Sequence, residues 1–262
     1  MTELGRARDL LASADAVIIA AGAGMGVDSG LPDFRGPEGF WRAYPPYQKL
    51  GLDFMSLANP RWFDKDPPIA WGFYGHRLRL YRDTIPHEGF AKLLALKKPC
   101  FVFTSNIDGQ FQKAGFKDVA EVHGSIHHLQ CTQSDHGIWS ANETRITIDQ
   151  DTMRAQAPLP KCQRCSALAR PNVLMFGDNG WDGARSDGQL EQLQQWLQQT
   201  SSKRRVVIEC GAGTGVPTVR GFSERLHAVG TTLIRINVRE PEVPKGAIGL
   251  ALGAREAIAA LV

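Results

Sequence analysis

The chain has 262 residues, 43% of them hydrophobic and 22% charged, which suits one large globular domain or one domain carrying a smaller inserted module. Its 30 Lys and Arg against 27 Asp and Glu leave a formal charge of +3, too small to argue for a nucleic-acid partner. No apolar run approaches the ~20 residues that span a bilayer, the N-terminus lacks a signal-peptide core, and five cysteines, an odd number, argue against a disulfide framework. A reduced, cytoplasmic protein is therefore expected.

The first residues read as the start of an amphipathic helix, and residues 16–20, all apolar, as a buried parallel strand. That strand runs into Gly22-Ala23-Gly24, where closely spaced glycines let backbone N–H groups approach a phosphate; a tight strand-to-loop turn explains the same residues as well. Residues 37–90 are rich in aromatics and Pro, with a helix expected over 69–83. Further strands are expected at 100–104, 119–122, 205–210 and 232–236. Residues 127–172 hold three of the five cysteines and little periodicity. Leu190, Leu193, Trp196 and Leu197 sit at helical spacing in a Gln-rich surface helix, and helices are expected at 223–229 and 255–262.

Alternating strands and helices imply a Rossmann-like, doubly wound α/β sheet, formed by residues 1–36, 91–126 and 173–262. Beside it would lie a helical insertion at 37–90 and a small cysteine module at 127–172. Ligands bind such sheets at the carboxyl ends of the strands. There the sequence places Gly22-Ala23-Gly24, Ser105-Asn106-Ile107-Asp108, Gly211-Ala212-Gly213-Thr214 and Asn237.

Several motifs resemble, in order, those of the sirtuin (Sir2) family of NAD-dependent protein deacylases. They are Gly22-Ala23-Gly24 with Leu31-Pro32-Asp33-Phe34-Arg35, Thr104-Ser105-Asn106-Ile107-Asp108, His123-Gly124, Phe176-Gly177-Asp178 and Ile236-Asn237. The resemblance is to the bacterial type and runs from about residue 15 to 240. It implies NAD as cofactor and acylated lysines of proteins as partners. His123 would be the general base, a task suited to an imidazole with a pKa of about 6.5. Asn106 and Asp108 would act with it, positioning the ribose and carboxamide. The cofactor would be held by Gly22, Ala23, Gly24, Met25, Asp33, Phe34, Arg35, Ser105, Gly211, Ala212, Gly213 and Asn237, with the glycine amides on the pyrophosphate. Phe176, Gly177 and Asp178 would line the peptide cleft, and His127 and His128 would be structural or surface residues.

Four departures from the family pattern stand out. Gly26 and Ser105 replace a Ser and a Gln, and the third strand end is altered to Cys210-Gly211-Ala212-Gly213-Thr214. Cys162 and Cys165 form half of a zinc knuckle, but only Cys131 stands opposite, so the fourth ligand is left to His136 or Asp135.

Tyr74 and Arg77 sit at i and i+3 on the expected helix, where both can face one pocket; a solvated Arg beside a core Tyr is the plainer reading. With Ala58 they resemble the desuccinylase branch, implying a pocket for a succinyl or malonyl group whose carboxylate the Arg fork binds. Two alternatives stay open: NAD hydrolysis or ADP-ribosyl transfer on the same fold, and a non-catalytic module that binds NAD or ADP-ribose.

Overall fold

The computed structural model describes residues 2–33, 36–133 and 135–262, with the backbone alone at 36–39. In chain order the elements are α1 (Glu3–Ser13), β1 (Ala16–Ala21), α2 (Gly24–Val27), α3 (Gly36–Ala43), α4 (Pro45–Lys49), α5 (Phe54–Leu57), α6 (Arg61–Lys65), α7 (Pro67–Asp83) and α8 (Glu88–Leu94). There follow β2 (Cys100–Thr104), α9 (Gln110–Lys113), β3 (Val119–Glu121), β4 (Gly124–Cys131), β5 (Ile138–Ser140), β6 (Ala169–Val173) and α10 (Ala184–Gln199). The chain closes with β7 (Arg205–Cys210), α11 (Thr218–Ala228), β8 (Thr232–Ile236), β9 (Ile248–Leu250) and α12 (Ala254–Leu261).

Six strands form one parallel sheet in the order β3-β2-β1-β7-β8-β9. Its centre, β1, is buried at every residue because helices cover both faces. Val17 and Ile19 point to one side, with Val102, Ile208 and Ile234, under α1, α8 and α12. Ile18 and Ala20 point to the other, with Phe101, Phe103 and Leu233, under α10 and α11. Each buried Ile or Val there contributes about 1.5–3 kcal/mol of transfer free energy. The doubly wound sheet expected from the alternation is the one observed. The short edge strand β9 carries no such apolar run and was not expected.

Strand order reverses between β1 and β7, so the crevice at their carboxyl ends is the topological switch point. Pro67 and Pro68 start α7, where a missing N–H costs nothing. A second, three-stranded antiparallel sheet has the order β5-β4-β6. It shares one core with the helical segment. Phe40, Tyr47, Trp71, Phe73 and Tyr74 pack in the same cluster as Ile126, Leu129, Ala169 and Val173. Among the described residues no helix is long and apolar enough to cross a membrane.

Candidate active site

At the switch point two strand ends touch. Gly22 N–H donates to Cys210 O at 3.0 Å and Gly24 N–H to Gly211 O at 3.1 Å. A Cβ on Gly24 would lie 2.6 Å from Gly211 Cα, and one on Gly22 would lie 2.8 Å from Ala212 Cα. Gly211, at φ +62°, returns the constraint toward Gly24. The glycines are therefore required first by the approach of two backbones, and the amides of Gly22 and Gly24 hold that junction. Asn237 completes it, donating through Nδ2 to Ala212 O at 2.8 Å. Gly213 is half-buried beside it. Met25 is fully buried in the core, and its carbonyl meets His87 Nε2 at 3.1 Å. Asp33 is half-buried, whereas Phe34 and Arg35 lie outside the described residues.

The loop after β2 is tied to the same junction. Ser105 N–H donates to Ala21 O at 3.2 Å, and Asn106 Nδ2 donates to Gly22 O at 2.9 Å. Asp108 is buried, and its Oδ1 accepts the Gln110 N–H at 2.9 Å. Burial pushes the Asp108 carboxyl up to about 6, against the opposing pull of that bond. His127, expected to be structural or at the surface, has a definite structural task. Its Nε2 meets Asp108 O at 2.9 Å, and its ring fills the space where a Cβ on Gly109 would fall. Ile126 N–H donates to Ile107 O at 3.1 Å, so β4 holds the loop from outside.

His123 occupies the turn between β3 of the large sheet and β4 of the small one. Its carbonyl accepts the Leu174 N–H at 3.0 Å, and its Nε2 lies 3.3 Å from Thr218 Oγ1 on α11. Burial lowers its proton affinity below that of an ordinary imidazole, so the ring is neutral at pH 7 and can accept a proton. Across the opening, Phe176 N–H donates to Ala58 O at 2.8 Å, which joins the Phe176-Gly177 turn to the end of α5. Gly177 takes φ +68° there. Asp178 turns inward: it forms a two-pronged ion pair with Arg170 and caps the N–H groups of Met175 and Gly180 at 3.2 and 3.1 Å. Its side chain shapes the turn from beneath.

Tyr74 and Arg77 lie on the buried face of α7. The Arg77 guanidinium carbon sits 5.0 Å from the Phe73 ring, 5.7 Å from Phe54 and 5.9 Å from Tyr74. Its Nε and Nη2 both donate to the Tyr81 hydroxyl, at 2.9 and 2.7 Å. The plainer sequence reading, a solvated Arg, does not hold.

Cys131, His136, Cys162 and Cys165 bring one ligand atom each to within 4.8 Å of one another. Cys131 Sγ and Cys165 Sγ are 3.6 Å apart, and His136 Nδ1 is 3.2 Å from Cys162 Sγ. A tetrahedral zinc with Zn–S of about 2.3 Å separates its sulfurs by about 3.8 Å, so the donor set and spacing fit zinc. Burial pushes the Cys162 thiol up, but N–H groups of Arg164 and Cys165, with His136, outweigh it and bring it down to about 6. Asp135 stands outside this group; its carboxylate accepts the Gly137 N–H at 3.3 Å on the exposed side. The fourth donor brought into the group is thus His136, not Asp135.

Comparison with known proteins adds family evidence to this geometry. The Sir2 family model matches residues 22–197. An NAD-dependent protein deacylase of Pyrococcus furiosus is 33% identical over 180 residues, 67% of this chain and 66% of the relative. The NAD-dependent protein deacylase sirtuin-5, mitochondrial, of Danio rerio is 33% identical over 196 residues, 68% of this chain and 62% of the relative. The matched stretch thus spans somewhat less than two thirds of the curated relatives' length. A solved Sir2 homologue–NAD complex superposes with a TM-score of 0.75 at 26% identity, covering 98% of this chain and 91% of that one. A Sir2 homologue variant in complex with ADP-ribose gives 0.76 at 27% identity, covering 100% and 95%. With two thirds of its length inside the family model, and the fold aligned from end to end, the chain belongs to the Sir2 family.

Proposed function

We propose that the protein is an NAD-dependent protein-lysine deacylase. The observation that carries this reading is His123, a half-buried neutral imidazole placed where the large and small sheets meet, beside the Asn106–Asp108 loop. NAD, when bound here, would supply an electrophilic ribose carbon with nicotinamide as the leaving group, and the acyl-lysine would supply the oxygen nucleophile. His123 would be the group that accepts a proton from a ribose hydroxyl, since its imidazole is neutral. Asp108, buried and short of solvent, suits a hydrogen bond to a carboxamide. Asn106 ties that loop to Gly22 and so fixes its height above β1. Extended peptides add to such clefts by backbone pairing, which leaves selectivity to the acyl group.

Ala58, Tyr74 and Arg77 support an acidic acyl group as the preferred cargo. A buried guanidinium among aromatic rings attracts a carboxylate strongly because little water competes for either charge. A cytoplasmic, reducing setting suits a site whose metal ligands include three thiols.

The deciding experiment is nicotinamide release from NAD with matched acetyl-, succinyl- and unmodified-lysine peptides. Release that needs an acylated peptide is expected, with succinyl ahead of acetyl. Release indifferent to the peptide would replace this reading with NAD hydrolysis or ADP-ribosyl transfer. Binding of NAD without any release would leave only a binding module.

A further inference from the structure

The contact between α11 and the base is not accounted for by the reaction as described. Thr218 is the first residue of α11, preceded by Pro217, and its hydroxyl meets His123 Nε2 at 3.3 Å. Its place is set from below. Phe222, one turn further on, stacks on Phe103 of β2 at 3.8 Å between centroids and 10° between planes. β2 in turn pairs with β3, which leads into His123. On the opposite side, the His123 backbone is fastened to Leu174 at the end of β6. The ring is therefore tied to the large sheet through Thr218 while its main chain is tied to the small one.

We propose that Thr218 is a positioning residue for His123, fixing the rotation of the imidazole and the nitrogen that carries its proton. The inference rests on the deacylase reading only for its kinetic consequence. A hydroxyl donating to Nε2 favours the tautomer with its proton on Nδ1, and turning that hydroxyl away when a substrate hydroxyl arrives would free the Nε2 lone pair for general-base work. Once the ring is protonated, the same hydroxyl turns and accepts, so one contact serves both states. Charged side chains on the flanking elements are committed elsewhere. Glu121 of β3 pairs with Arg185, and Arg220 of α11 donates to the carbonyls of Glu240 and Glu242. Among the described residues, Thr218 is the polar side chain on the His123 ring, whose proton affinity is otherwise set by burial.

The test compares the wild type with Thr218→Val, which keeps the shape and loses the hydroxyl, and Thr218→Ser, which keeps the hydroxyl. Nitrogen NMR of the ligand-free chain, with His123→Gln to assign the signal, reads the tautomer directly. Wild type and Thr218→Ser should hold the Nδ1–H form, and Thr218→Val should show a mixture that titrates at lower pH. In deacylation, Thr218→Val should lose about tenfold in kcat with KM for NAD nearly unchanged, and its acid limb should move to lower pH. Thr218→Ser should restore both. An unchanged tautomer ratio in Thr218→Val, or a loss that Thr218→Ser does not restore, overturns the proposal. If the wild type releases no nicotinamide with any acyl peptide, the deacylase reading fails, and the NMR comparison still decides the contact.

Discussion

Tyr81 stands one helical turn beyond Arg77 on α7, and its single hydroxyl oxygen accepts both Nε–H and Nη2–H of that guanidinium. A buried cation held along one edge of its fork has a fixed direction, which a flexible surface arginine lacks. The acyl selectivity proposed for Arg77 therefore depends on a residue that need not touch the substrate.

Tyr81→Phe should loosen that grip. Removing the acceptor leaves buried donors less satisfied, at a cost of about 1–3 kcal/mol in stability. Freed rotation of the guanidinium should raise KM for succinyl peptide about tenfold, the equivalent of about 1.4 kcal/mol in binding, while acetyl peptide is little affected. Steady-state kinetics on the two peptides measures this; an equal loss on both would sink the idea.

Asp108 makes stability depend on pH in an unusual direction for a carboxylate. Its folded value, about 6, lies above the ordinary 3.8, so the native state binds its proton more tightly than the unfolded chain does. That contribution is complete below about pH 4 and is lost as pH rises through about 6. Asp108→Asn should flatten this slope and be more stable than wild type at pH 7.5, by up to about 3 kcal/mol for a shift of about two pH units. Turnover should fall at the same time, since the carboxylate is gone. Urea unfolding at pH 4, 6 and 7.5 shows the difference; a constant gap between the two proteins would contradict it.

Gly211→Ala should be among the most damaging small substitutions in the chain. The residue sits at φ +62°, and its new methyl would run into the Gly24 backbone. The loss should reach about 3 kcal/mol or more, with weakened NAD binding, because the β1–β7 junction must open. Denaturant midpoints and NAD calorimetry read both effects, and a stable variant would show that the junction is slacker than its geometry implies.

Zinc should be held by three thiolates and an imidazole. His136→Ala should lower zinc affinity roughly a hundredfold or more, whereas Asp135→Ala should retain the metal. Metal analysis after dialysis against a mild chelator separates them. Loss of zinc from Asp135→Ala alone would reverse the assignment.

How far the sequence could be read depended on how local each signal was. The parallel strands were legible because burial on both faces leaves unbroken apolar runs, as in residues 16–21. The glycines, the Asn106–Asp108 loop and His123 were legible as contiguous motifs. Choosing His136 over Asp135 was not, because two adjacent side chains differ there only in which way the turn directs them. The tasks of His127 and Thr218 were hidden for a different reason: each acts on a residue distant in the chain, 19 and 95 positions away. Asp178 carried the motif's identity, yet its carboxylate is spent on Arg170 inside the protein. No short pattern separates an inward carboxylate from an outward one.

The indole of Trp71 on α7 donates to Ala169 O at 3.0 Å, and Ala169 opens β6 only four residues after Cys165. The knuckle and the helix that carries Arg77 are thus bolted to one strand. Mechanical coupling follows: a cell that starves this protein of zinc should blunt its discrimination between acyl groups before it abolishes turnover, so metal supply would act as a dial on substrate choice.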